Sequence, residues 1–396
     1  MKSYDLITPE GTRDLLFEDC SAVTAVENGL QGIFKAKGYS QVMTPGLEFY
    51  DVFNMKSRYF PQETLYKLTD AKNRLLVVRP DSTMPIARLA ATRLRTQSLP
   101  IRLCYSQSVF RSRPGMRGRS DEIRQTGIEL IGSSSKRADL EIIANALEAL
   151  TFCHGSGARL EIGHIGFFKR LVALLGATYD EVEQIRSLIE VKNYPVLNDV
   201  LDSFGDNRAA KALKLLPRLF GGEEVFESAA VLYEDDELKQ VLEELRDIYS
   251  QACRLGFDVE ITIDLGLVNR MDYYTGTVIK GYIAGCADAV ISGGRYDGLL
   301  NEFGYDVPAA GFAVNVNAAA ESYKKHCGCE LSPCEVLVFG EQGCEAKALN
   351  LCRKLCESGM TAENSVAETI EEARAYAVEK GISRIEIVSD NSVTEE

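Results

Sequence analysis

The segment from Ile101 to Gly132 constrains this chain more than any other. Two runs, IRLCYSQSVFR at 101–111 and EIRQTGIELIG at 122–132, read as long strands, and a polar loop, PGMRGR at 114–119, separates them. Alternate residues of a strand share a face, so Gln125, Gly127 and Glu129 point the same way. Gly127 removes the side chain between an amide and a carboxylate. The expected result is a gap over the sheet that fits a small polar ligand with two hydrogen-bonding ends.

The flanking pattern predicts an α+β fold, a largely antiparallel sheet covered by helices. Residues 15–37 have the spacing of an amphipathic helix, with Gly38 as its stop. A strand is expected at 74–79 and a helix at 139–152, with Asp139 as its N-cap. Residues 165–255 are rich in Leu, Glu, Lys and Ala at helical spacing and read as a helical insertion. Strand patterns resume at 258–265, 273–283 and 287–292, and a helix is expected from near Gly311 past Ala320. A separate α/β unit follows at 333–396: a strand in CEVLVFG, helices over 343–358 and 366–380, a strand at 384–389, and room for a short one at 360–364. The domain boundaries predicted are thus 1–325, including the insertion, and 333–396.

Composition narrows the function. Hydrophobic residues are 45% and charged residues 26% of 396, ordinary for a globular chain. With 44 Lys and Arg against 58 Asp and Glu, the net charge is −14, which disfavours nucleic-acid binding through bulk charge. The start, MKSYDLITPEGTRD, lacks the apolar core of a signal peptide, and no uncharged apolar run is long enough for a membrane span, so a cytoplasmic location is expected. The 11 cysteines are odd in number and read as free thiols. His326, Cys327, Cys329 and Cys334 are candidate zinc ligands by residue type, but their spacing is not a paired C-x-x-C pattern, and no metal is expected.

Three further runs carry polar groups. In RPDST at 79–83, extended chain would put Asp81 and Thr83 on one face, a set that suits an ammonium group. In DYYTGTV at 272–278, Tyr274 and Gly276 share a face, an aromatic hydroxyl next to an empty position. In SGGRYDGLL at 292–300, the paired glycines mark a close approach or a tight bend. Singly, none is specific. No P-loop, dinucleotide fingerprint, zincin motif or nucleophile elbow is present, and no cofactor is expected.

Together and in order, these runs resemble the histidyl-tRNA synthetase-like branch of the class II synthetases over at least residues 5–320. PEGTRD at 9–14, GYSQVMTPGLE at 38–48, RPDST, GRSDEIRQTGIELIG at 118–132, DYYTG at 272–276 and GGRYDGLL at 293–300 carry the likeness. The departures are as informative. Arg113 stands where the resemblance implies a glutamate, Asn269 where it implies a catalytic arginine, and Asn317-Ala318 where it implies Glu-Arg. Adenylation depends on cations aimed at the phosphates, and of three implied arginines only Arg111 remains.

The amino-acid pocket is kept. The resemblance implies a histidine-binding set of Asp81, Thr83, Arg111, Gln125, Glu129, Tyr273 and Tyr274, with Asp81 a Glu-to-Asp change, and it implies no catalytic residue. That combination closely resembles the regulatory subunits of ATP phosphoribosyltransferase, synthetase paralogues that serve the first step of histidine biosynthesis. The resemblance implies a short-form catalytic subunit as partner, a hetero-octamer built on a self-dimer, free histidine as feedback signal and allosteric action. Residues 334–396 hold 6 Lys or Arg and 13 Asp or Glu, so tRNA binding through them is not expected. The main alternative is an active histidyl-tRNA synthetase. A synthetase-like regulator of another process is the third.

Overall fold

The computed structural model describes residues 4–54, 60–112, 120–268, 273–328, 334–390 and 392–395. They divide into two compact units, 1–328 and 329–396.

The first unit opens with helix α1 (Phe17–Ala36), whose Ala22, Val26, Leu30 and Phe34 form a buried i, i+4 stripe. The two strands β1 (Ser40–Gln41) and β2 (Leu47–Phe49) are followed by β3 (Lys67–Thr69) and β4 (Leu75–Val78). Helix α2 (Thr83–Arg93) leads into the ten-residue strands β5 (Ile101–Phe110) and β6 (Glu122–Ile131). Next come α3 (Lys136–His154) and β7 (Ala158–His164). The insertion holds α4 (Ile165–Leu175), α5 (Tyr179–Glu190), α6 (Tyr194–Asp202), α7 (Arg208–Leu215), the two-residue strand β8 (Phe220–Gly221), α8 (Glu224–Ala230) and α9 (Asp236–Cys253). Strands β9 (Val259–Asp264), β10 (Thr277–Tyr282), β11 (Ile291–Arg295) and β12 (Ala309–Asn315) and helix α10 (Val316–Cys327) complete the unit.

Nine strands form one sheet in the order β1-β5-β6-β12-β11-β10-β7-β9-β8. Only β1–β5 and β7–β9 pair in parallel. A second, small sheet has the order β2-β4-β3.

Several expectations need correction. The residues around Gly311 are strand, not helix: β12 lies between β6 and β11, and α10 starts only at Val316. A short apolar run buried on both faces has no period that separates strand from helix. Helix α3 starts at Lys136, before Asp139, which does not cap it but pairs with Arg295 at 2.9 Å. The chain is not extended through Asp81 and Thr83. Thr83 opens α2, and Asp81 Oδ1 accepts the Met84 N–H at 2.9 Å. Strand β10 begins at Thr277, so Tyr273 and Tyr274 precede it.

The second unit contains β13 (Val336–Gly340), α11 (Glu345–Glu357), β14 (Ala362–Asn364), α12 (Ile370–Lys380), β15 (Arg384–Val388) and β16 (Val393–Glu395). Its sheet order is β14-β13-β15-β16, with β16 an antiparallel edge that the sequence reading did not foresee. Leu337, Phe339, Ala373 and Ile385 pack one face, and Val336, Val338, Ala348 and Val388 the other. Gly381 ends α12 at φ 71°, a left-handed conformation that glycine adopts without a Cβ penalty.

Candidate functional site

The site grows out of the centre of the large sheet. Register places Glu129 on β6 opposite Gly311 on β12, and Gly311 opposite Gly294 on β11. The glycines at these positions make room for the site's own side chains. A Cβ on Gly311 would stand 1.9 Å from Glu129 Oε2, and one on Gly294 would stand 3.0 Å from the Tyr274 ring. The same holds at Gly127, where a Cβ would come within 2.5 Å of the Tyr105 hydroxyl. The gap expected between Gln125 and Glu129 is therefore filled by Tyr105, the cross-strand partner of Gly127. Likewise the position over Gly276 is taken by the Arg295 side chain, at 3.0 Å from an added Cβ.

Glu129 is 1% exposed. Its Oε1 accepts the Thr83 hydroxyl at 2.8 Å, and its Oε2 accepts the Tyr296 hydroxyl. Thr83 thus serves Glu129, rather than standing beside Asp81 on an extended strand. Arg111 donates from Nε to the Pro80 carbonyl at 2.6 Å and lies 3.6 Å from Asp81 Oδ2. Tyr273 packs against Tyr274 at 4.9 Å and edge-on against Tyr296 at 5.6 Å between ring centroids. The structure brings Asp81, Thr83, Arg111, Glu129, Tyr273 and Tyr274 into one cluster. Gln125 lies on the same face two pleats away, and its buried Oε1 has no hydrogen-bond partner among the described residues.

Burial pushes the Glu129 carboxyl up to about 8; the charge of Asp81 adds to this, and the Tyr296 and Thr83 hydroxyls oppose it. Burial also raises Asp81, against the attraction of Arg111. Two buried carboxyls that resist ionisation form a site that gains on receiving a positively charged or N–H-rich group, which favours the ionised form of each. Tyr274 sits above its ordinary range through burial and the two carboxylates, so its hydroxyl stays a donor.

A second set of contacts fixes the tyrosine segment. Lys169 on α4 donates to the Tyr274 carbonyl at 2.6 Å. The Thr275 N–H donates to the Arg295 carbonyl at 2.8 Å, and Arg295 is held by Asp139 and Asp297, each at 2.9 Å.

Tyr105 and Tyr296 are the functional residues that sequence reasoning missed. Tyr296 belongs to the GGRYDGLL run, where attention fell on the glycines. Tyr105 faces a glycine across a hairpin, which is a signal in itself. The departures at Arg113 and Asn269 lie outside the described residues, as does the loop 114–119. Asn317 Oδ1 accepts the Arg124 N–H at 2.6 Å, and Ala318 donates its N–H to the capping Asn315 at 3.2 Å. Among the described residues no group of three or more His, Cys, Asp or Glu side chains is arranged to hold a metal ion; Cys329 lies outside them.

A family profile described as histidyl-tRNA synthetase matches residues 11–319. The first unit thus has a class II, histidyl-tRNA synthetase-type fold. In solved structures the whole chain resembles a protein of Bacillus halodurans described as an ATP phosphoribosyltransferase regulatory subunit/histidyl-tRNA synthetase. The TM-score is 0.84 at 27% identity, covering 99% of this chain and 100% of that one. A histidyl-tRNA synthetase from Nostoc, at a TM-score of 0.78 and 19% identity over 99% of this chain and 96% of that one, shares the fold. The ATP phosphoribosyltransferase regulatory subunit of Clostridium acetobutylicum is 39% identical over 95% of this chain and 94% of its own length. That of Clostridium kluyveri is 37% identical over 98% and 100%. The chain belongs to the family of ATP phosphoribosyltransferase regulatory subunits.

Proposed function

We propose that this chain is the non-catalytic regulatory subunit of ATP phosphoribosyltransferase, required by a short-form catalytic subunit for activity and for histidine feedback at the first step of histidine biosynthesis. The observation that carries the histidine part is the Glu129 cluster. A buried carboxyl flanked by tyrosine hydroxyls suits an imidazole, which offers N–H donors and a ring. Asp81 takes the ligand's ammonium, Arg111 its carboxylate, Glu129 an imidazole N–H, and Tyr273, Tyr274 and Thr83 close the set around it. Gln125 supplies its unpartnered oxygen at the outer end.

The chain does not activate histidine with ATP and does not charge tRNA. Arg113 is no substitute for the acid, and Asn269 and Ala318 none for the cations, that adenylation needs, and Asn317 is spent on the Arg124 backbone. It acts by binding. Histidine favours one state of the complex over another through its different affinity for the two. The assembly is a hetero-octamer of equal subunit numbers built on a dimer of this chain. The exposed Leu47, Phe49 and Leu68, on one face of the β2-β4-β3 sheet, supply apolar surface for self-association. Its location is the cytoplasm, in keeping with ten free thiols among the described cysteines. The test is a histidine titration of the complex reconstituted with the catalytic subunit, using wild type and Glu129→Ala. Inhibition is expected in the first and a large loss of sensitivity in the second. Equal inhibition of both would move the feedback site elsewhere.

A further inference from the structure

A cavity of about 760 Å³ lies on the same face of the large sheet as Glu129, several strands away. Register establishes the shared face. Glu129, Gly311, Gly294, Val278 and Gly163 stand opposite one another across five strands. Lys280 and Glu161, two residues along from Val278 and Gly163, pair in the next row. The far wall of the cavity comes from the insertion: Lys192 from the α5–α6 turn, Tyr194 from the start of α6, and Phe220 from β8. The volume is in the range of sites that enclose a metabolite.

Its polar groups fall into a closed set and an open one. Arg159 is closed. It lies 3.0 Å from Glu161 and is held between the rings of Phe220 and Tyr282, at 5.5 and 5.2 Å. Lys192 and Lys280 are open. Both face Asp264 closely enough to favour its ionised form, yet among the described residues neither makes a hydrogen bond or ion pair. Asp264 accepts the Gly266 N–H through Oδ1 at 2.8 Å, and its other oxygen has no partner among the described residues. Glu260 is exposed at the rim, and Glu190 is taken by Arg186 at 3.1 Å. Lys192 also holds φ at 57°, a conformation that a residue with a Cβ adopts at a cost.

We propose that this cavity binds a phosphorylated sugar or nucleotide, with the phosphate between Lys192 and Lys280 and sugar hydroxyls donating to Asp264 and Glu260. Two uncommitted ammonium groups match a phosphate monoester, which is close to doubly charged at neutral pH, better than a single carboxylate. A zwitterionic amino acid is a weaker match. Burial holds the Asp264 carboxyl up at about 6, and the group takes part in hydrogen bonds with a hydroxyl in either form.

The test is calorimetric titration of the full chain with ribose 5-phosphate, AMP, inorganic phosphate and glutamate. The variants are Lys280→Gln, Lys192→Gln and Glu129→Ala. Saturable binding of ribose 5-phosphate or AMP is expected, weaker by about ten- to a hundred-fold in each lysine variant and unchanged in Glu129→Ala. Because Lys192 is exposed, its variant reads out binding even if Lys280→Gln were to melt early, and a melting curve of each variant identifies that case. The proposal is overturned if neither sugar phosphate saturates at about 10 mM, or if binding is as tight in Lys192→Gln as in wild type. Inorganic phosphate or glutamate binding as tightly as the sugar phosphates would overturn it equally.

Discussion

Two regions of one sheet face handle charge in opposite ways. Around Glu129 the polar groups are spent on one another: Thr83 and Tyr296 on the carboxylate, Arg111 on Asp81 and Pro80. In the second region Lys192, Lys280 and one Asp264 oxygen remain uncommitted among the described residues, although Arg159 beside them pairs with Glu161. The first region is dry, and its acids resist ionisation. The second is open to solvent at Lys192 and Glu260, although burial still raises Asp264. A dry site discriminates ligands by what it leaves unpaired, and a wet one by net charge.

The largest effect that bears on this contrast is an absence. Histidine-dependent pyrophosphate exchange by the purified chain is expected to lie at least about a thousand-fold below that of an active synthetase, because each missing charge contact in such a site costs about a hundred- to a thousand-fold. Robust exchange would turn the Glu129 region from a sensor into an enzyme site.

Next in size, Glu129→Ala should weaken histidine binding by about ten- to a hundred-fold, the cost of a hydrogen bond to a charged group. Lys280→Gln should leave histidine affinity within about two-fold, since distant sites add independently. Calorimetry on both variants would break the comparison if the two sites traded effects.

The pH dependence of stability should differ between the regions. Glu129 rises from its ordinary 4.5 to about 8 on folding. Its neutral form therefore contributes stability that is complete below about 4.5 and is lost as pH rises through about 8. Relative to Glu129→Gln, wild type should lose at most about 1.4 kcal/mol per pH unit across that window, read by urea denaturation at several pH values. Asp264 rises from 3.8 to about 6, so Asp264→Asn should alter only the narrower window between about 4 and 6, and by about six-tenths as much in total. Equal pH profiles for the two variants would mean that the regions are equally dry.

The hairpin was legible because its loop composition and strand lengths leave little choice. Even its register was within reach: strands of ten residues folded about a centre near Met116 bring Tyr105 opposite Gly127. What sequence could not supply was which object fills a glycine's space. Gly127 and Gly276 were open to reading as room for a ligand, and they are room for Tyr105 and Arg295. Asp81 and Thr83 do lie close together, but on a backbone the sequence did not suggest, because an N-terminal helical turn also gathers residues two apart. The stretch at Gly311 was misread because buried central strands have no polar face. The Lys280 cavity left no local trace at all, since its walls come from segments more than a hundred residues apart, Arg159 and Lys280 among them.

The bond from Lys169 to the Tyr274 carbonyl makes the insertion a tether on the pocket. Helix α4 follows β7 without a loop, and β7 also carries Arg159 and Glu161. A shift of α4 by little more than an ångström would stretch that 2.6 Å bond beyond hydrogen-bonding range and release the tyrosine backbone from one side. The pocket's rigidity is in this sense borrowed, and the lender is a helix of the insertion. Any protein or solute that grips the insertion meets two bonds, from Lys169 and from the Ile165 N–H to the Gly276 carbonyl at 3.1 Å, through which to loosen or tighten the tyrosine segment.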